Sequence, residues 1–149
     1  MVLKQKDILA PALKKELQDY VYDIIGYMID VSKELPCGLP EYIYQEAFDT
    51  ILREHNIDSH KEYRHYPLFH GKRMDSFLRM DFMVERSRGN IVIECKALDK
   101  ITNHERQQLF SYMIASEFPI GLLVTFAHYP TPYIERYYFD KKDMTVTAF

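Results

Sequence analysis

The chain has 149 residues, 47% hydrophobic and 28% charged, which is the size and composition of one soluble globular domain with a single core. No apolar run approaches the roughly 20 residues that span a bilayer, and the start, Met1-Val2-Leu3-Lys4-Gln5-Lys6-Asp7, lacks the apolar stretch of a signal peptide. The expectation is a cytoplasmic protein without a membrane partner, in which Cys37 and Cys95, too few for a disulfide framework, stay reduced.

The net charge of −3 argues against general DNA coating, but it is unevenly spread. Residues 1–60 carry six Lys/Arg against eleven Asp/Glu, residues 61–100 carry nine against six, and residues 101–149 carry four against five. The one basic segment is compatible with a local phosphate-binding surface.

After a polar leader, Leu17, Val21, Ile24, Ile25, Met28, Val31 and Leu35 recur at three- and four-residue steps and predict a helix from about Pro11 to Leu35. Pro36-Cys37-Gly38-Leu39-Pro40 breaks it. A second helix runs from Pro40 or Glu41 to about His55, with Ile43, Tyr44, Ala47, Phe48, Ile51 and Leu52 as its apolar face. At 100° per residue Glu41 lies about 80° from the centre of that face and Glu46 roughly opposite it. Glu41 can therefore lean toward the edge of the core, although a favourable charge at a helix N-terminus is an equally physical reading.

From Ile57 to Phe69 the chain reads as β, and His70-Gly71-Lys72 reads as a turn. A strand is predicted over Ser76 to Glu85, with Phe77, Arg79, Asp81 and Met83 on one face and Leu78, Met80, Phe82 and Val84 on the other. The turn Arg86-Ser87-Arg88-Gly89-Asn90 joins it to the strand Ile91–Lys96, on which Glu94 and Lys96 share a face opposite Ile93 and Cys95. Asp81 can reach the face of Glu94 and Lys96 from the neighbouring strand. His55, His60, His65 and His70 recur every five residues, which matches neither helix nor strand, so they are expected on the surface or in loops without converging on a metal.

A third helix is predicted from about Asn103 to Glu117, capped by Thr102 or Asn103, with Gln108 and Tyr112 four apart on one face. Ile120 to Phe126 is a near-continuous apolar run, the pattern of a central strand covered on both faces. Tyr133 to Phe139 and Met144 to Phe149 form a closing hairpin. The order predicts an α/β (α+β) domain over residues 1–149: a mixed central sheet flanked by helices, with two N-terminal helices and a C-terminal hairpin.

Two carboxylates and a lysine on an otherwise apolar sheet are costly to bury unless something uses them, although an ordinary ion pair on a hairpin has the same residues. Asp81, then Glu94-Cys95-Lys96 after a short apolar strand, resembles the core motif of the PD-(D/E)xK nuclease superfamily. Gly38-Leu39-Pro40-Glu41-Tyr42-Ile43-Tyr44 reads G-x-x-E-x-x-Y and is similar to the signature of the small bacterial GxxExxY proteins of that superfamily. Ile25-Gly26, Lys33-Glu34-Leu35 and Tyr44-Gln45-Glu46-Ala47 extend the similarity. Pro36-Cys37-Gly38 replaces the family's Gly-Pro-Gly, a change of loop shape more than of chemistry. Gln108-Leu109-Phe110-Ser111-Tyr112 resembles the Q-x-x-x-Y motif of RecB-like members, where the polar pair faces the active site. The resemblance covers about residues 17–140.

It implies a restriction-endonuclease-like fold and a metal-dependent nuclease that hydrolyses phosphodiesters of nucleic acid, DNA rather than RNA. Asp81 and Glu94 would be ligands of Mg²⁺ or Mn²⁺, with the Cys95 backbone carbonyl a third and Glu41 acting directly or through water. Lys96 would sit beside the attacking water, and Gln108 and Tyr112 would orient water, Lys96 or a phosphate. Tyr42, Tyr63, Tyr66, Phe69 and Phe77, near Arg64, Lys72, Arg73 and Arg79, could form a stacking and phosphate groove for single strands or ends, or be core and hairpin packing. So small a module could act as a homo-oligomer or with a protein partner. Two other readings stay open: a non-catalytic module binding nucleic acid or protein, and a metal-dependent enzyme acting on a nucleotide.

Overall fold

A computed structural model describes residues 4–5 and 9–149; the rest of the polar leader lies outside the described residues. Two helices come first, α1 over Pro11–Glu34 and α2 over Glu41–Glu54. Pro11 starts α1, where its missing N–H costs nothing. Leu17, Val21, Ile24, Met28 and Val31 of α1 and Tyr44, Phe48 and Leu52 of α2 are buried, the stripes that the periodicity predicts.

Lys4–Gln5 is strand β1, and after α2 come β2 (Ser59–His65), β3 (Leu68–Phe69), β4 (Lys72–Arg73), β5 (Leu78–Val84) and β6 (Ile91–Lys96). Helix α3 (Asn103–Ser116) follows, then β7 (Ile120–Thr125), β8 (Tyr133–Asp140) and β9 (Thr145–Ala148). Seven strands form one mixed sheet in the order β1-β9-β8-β7-β6-β5-β2, and β3-β4 stands apart as a two-stranded hairpin. β6 and β7 pair in parallel, the geometry that needs a crossover, and α3 supplies it. β8 and β9 are the predicted closing hairpin.

The helices cover the two faces of the sheet. Ile91, Ile93, Cys95, Leu122 and Val124 pack with α1 and α2, whereas Val92 and Leu123 pack with Leu109, Phe110 and Met113 of α3. Gly121 lets α3 lie close on β7: a Cβ there would stand 2.4 Å from Met113 Sδ and 3.2 Å from Leu109 methyls. Every residue of β7 is buried, as its apolar run predicts.

β5 departs from the predicted alternation. Phe82 and Val84 face α1 and α2, but Met80 and Leu78 pack on the α3 side. The break falls at Asp81. Glu62, which stands opposite Asp81 between the pairs Lys61–Phe82 and Tyr63–Met80, has a left-handed backbone at φ 55°. Pairing of β5 with β6 also stops at Phe82–Ile93, one residue short of Asp81 and Glu94. The sheet opens at the level where the acidic residues lie.

Candidate metal centre

Asp81 and Glu94 replace the missing sheet bonds with bonds of their own. The Asp81 N–H donates to Glu94 Oε1 at 3.0 Å, and the Cys95 N–H donates to Asp81 Oδ2 at 2.9 Å. Each carboxylate is thus fixed by the other's strand. In an extended strand a residue's N–H and C=O lie on the same side, so the Cys95 carbonyl faces the Asp81 side of β6. The Cys95 side chain is buried on the opposite face against α1 and α2, as predicted.

Glu94 is 2% exposed. Burial, with the Asp81 charge adding to it, pushes its carboxyl up to about 8, against the partial relief of the Asp81 N–H and the Lys96 charge. Lys96 follows two residues on and reaches the same place: its Nζ lies 3.8 Å from Glu94 Oε2 and donates to Gln108 Oε1 at 3.1 Å. The lysine is therefore held between β6 and α3, pointing at a carboxylate rather than into solvent.

Helix α3 delivers Gln108 because its start is well defined. The Thr102 and Glu105 side chains form a reciprocal capping box there. Tyr112, one turn beyond Gln108, is 9% exposed. Burial and the Glu94 charge raise its hydroxyl above the ordinary tyrosine value, the Gln108 side chain opposes this, and Arg79 lies near enough to oppose it too. Gln108 and Tyr112 thus both border the acidic pair. The loop that follows Lys96 is tied to the end of β7 by Thr125, whose hydroxyl accepts from Leu98 N–H at 3.1 Å and donates to Leu98 C=O at 2.6 Å.

Glu41 enters from the other helical layer. It is half-buried at the first turn of α2, where burial raises its carboxyl, Lys96 lowers it and Asp81 raises it further. Gln45, one turn on, donates to Glu41 Oε1 at 3.0 Å. Glu46 is exposed, as the helical angle predicts. The signature around Glu41 has a physical basis. Gly38 has φ +89°, a left-handed turn that suits glycine, and Tyr44 is buried with its hydroxyl accepting from Leu39 N–H at 3.1 Å and donating to Pro36 C=O at 2.5 Å. Glycine turns the loop, tyrosine fastens it, and the glutamate between them is aimed at the opened sheet.

The six side chains singled out in the sequence thus converge from β5, β6, α2 and α3. The carboxylate oxygens of Glu41, Asp81 and Glu94 do not all close to within 4.8 Å of one another; among the described residues Asp58, His60 and Glu85 do. His60 Nε2 lies 3.3 Å from Asp58 Oδ1 and 3.4 Å from Glu85 Oε2, fully at the surface, where the C-terminal end of β5 meets the start of β2. The five-residue histidine spacing concealed it because its partners are carboxylates, one of them on another strand. Gln45 and Thr125 were also missed. An i, i+4 Gln–Glu pair is a readable helix signal, whereas the Thr125–Leu98 tie depends on tertiary packing alone.

A family model described as the PD-(D/E)XK nuclease superfamily matches residues 18–137. The chain belongs to that superfamily. Its mixed sheet flanked by helices is the α+β, restriction-endonuclease-like arrangement. No curated protein matches the chain. Among solved structures, one described as the crystal structure of SSO0001 is similar at a TM-score of 0.47 and 19% identity, over 89% of this chain and 65% of that one. The chain thus spans less than two thirds of that protein's length. Among the described residues the surface group Asp58, His60 and Glu85 is close enough to hold a metal, and no helix is long and apolar enough to cross a membrane.

Proposed function

We propose that this PD-(D/E)XK domain is a divalent-metal-dependent nuclease of the GxxExxY type, and that it hydrolyses DNA phosphodiesters at the break between β5 and β6. The observation that carries the reading is the reciprocal Asp81–Glu94 lock with Lys96 held beside it by Gln108. A structural ion pair on a hairpin has no need of a 2%-exposed glutamate whose neighbour is a second carboxylate.

The donor set fits a hard cation. Asp81, Glu94 and the Cys95 carbonyl offer oxygen only, and Mg²⁺ or Mn²⁺ completes such a set with water and substrate. Glu41, half-buried on α2 and within the field of Asp81 and Lys96, fits a role through water. When bound, the cation supplies the positive charge that activates a water and neutralises charge on the phosphate.

The chain's own residues do the rest. Lys96 places its ammonium beside Glu94, where it favours a deprotonated water and then the negative charge that builds on the pentavalent phosphate. Gln108 accepts from Lys96 and so fixes its direction, and the same side chain bonds the Tyr112 hydroxyl, which ties the pair into one polar edge of the site. Tyr112, with a hydroxyl that stays protonated, is a donor at the same face. Glu41, aligned by Gln45, is placed to orient an attacking or ligand water.

The test is an assay of linear, nicked, branched and single-stranded DNA, and of RNA, at a stated low salt with Mg²⁺, Mn²⁺ or EDTA. Cleavage that needs the cation and disappears in Asp81→Asn, with circular dichroism unchanged, is the expected result. Binding without cleavage under every cation would replace the nuclease with a non-catalytic binding module.

A further inference from the structure

The hairpin of β3 and β4 belongs to neither core. Its two-residue turn, His70-Gly71, has φ of 52° and 72°, the positive pair that a tight hairpin requires, and Leu68 and Phe69 at its tip are 69% and 65% exposed. So small a ribbon is not stable by itself. It is braced by a ladder of rings and guanidiniums: Arg73 Cζ lies 3.7 Å from the Tyr66 ring centre, Tyr66 and Phe77 stand 5.4 Å apart, and Arg64 Cζ lies 4.6 Å from the Phe77 ring centre. Tyr63 is not part of it; it packs against Phe118 in the core. The sequence thus mixed two uses of aromatics, and the structure separates them.

Charge and position point the same way. Residues 61–79 hold five Lys/Arg against two Asp/Glu, net +3, so the remainder of a chain of net charge −3 is at −6. The arm leaves the sheet between the end of β2 and the start of β5, and Asp81 is the fourth residue of β5. From Phe77 to Asp81 is roughly 13 Å of extended chain. Since β5 and β6 are antiparallel, the arm projects from the same end of the sheet as Lys96.

We propose that the arm of residues 66–77 binds an unpaired nucleic-acid strand and leads it to Asp81, with Phe69 and Leu68 receiving bases and Lys72 and Arg73 receiving phosphates. This deepens, and rests on, the nuclease reading of the neighbouring site. An unpaired strand is the occupant because a duplex presents a phosphate exterior with its bases stacked inside, whereas a single strand offers both flat faces to cover Leu68 and Phe69, the latter still 65% exposed with the His70 ring 4.2 Å away, and the charge that the cations match.

The experiment is fluorescence anisotropy of a labelled oligothymidylate about twenty nucleotides long, and of a duplex of equal length, titrated with the full chain in EDTA at stated salt. The single strand is expected to bind at least about tenfold more tightly than the duplex, and Phe69→Ala to weaken it about tenfold, with Phe69→Trp restoring it. Lys72→Ala is expected to flatten the dependence of log K on log salt by about 0.7. These side chains are exposed, so the fold does not depend on them. Unchanged single-strand affinity in Phe69→Ala, or a duplex bound as tightly, overturns the proposal. Binding is read without metal, so absent cleavage leaves this result standing, while cleavage by a protein indifferent to Phe69→Ala removes the arm alone.

Discussion

Glu94 is the residue on which the electrostatics of the site turn. Its carboxyl titrates at about 8 rather than the ordinary 4.5, so between those values the metal-free native state keeps a proton that the unfolded chain has lost. Stability of the metal-free protein therefore falls as pH climbs through that window. Glu94→Gln, which cannot ionise, is expected to lose most of this pH dependence in urea unfolding with EDTA present, and to gain on the wild type at pH about 8. An equal fall in both proteins would show that Glu94 is not the group that carries it. A cation answers the same repulsion by displacing the proton, so metal affinity is expected to rise with pH up to about 8. Glu94 itself was readable from its place two residues before Lys96, but its burial was not: that depends on α3 closing over β6.

At the scale of elements, the loop before α2 decides where Glu41 points. The Tyr44 hydroxyl holds Leu39 N–H and Pro36 C=O together, and its ring stacks on Phe126 at 5.1 Å. Tyr44→Phe keeps the ring and frees both backbone groups, an expected loss of about 1–2 kcal/mol in urea unfolding. Unchanged stability would mean that the loop of residues 36–39 holds its own shape. Helix periodicity found α1 and α2 within a residue or so, because each hides one apolar stripe, whereas α3 was found from the capping residues Thr102 and Asn103 at its start. It could place Tyr44 on that stripe and no more, since the hydroxyl's partners belong to a loop without periodicity. Alternation misled at β5, where Asp81 and Glu94 take the backbone bonds that regular pairing would use and Met80 turns to the α3 face.

For the molecule as a whole, the order of the three helices and of the main strands was legible, whereas β1, within the leader read only as polar, was not. The neighbours joined by short turns, β5–β6 and β8–β9, were legible too, but the others were not, because a β-run does not announce a distant partner; the parallel β6–β7 pair and the detached β3–β4 arm came from the structure. Convergence explains why a short chain can hold a site at all: α2, α3, β5 and β6 each contribute one or two side chains, and both helical layers meet where the sheet opens. The central claim is that this opening is a catalytic centre, in which Lys96 acts on the reaction rather than on the fold or the metal. The most direct measurement is the rate of DNA cleavage by Lys96→Ala under Mn²⁺ concentrations that calorimetry shows to saturate both it and the wild type. A loss of at least about a hundredfold is expected, with the variant folded and metal-loaded. Cleavage at the wild-type rate would contradict it.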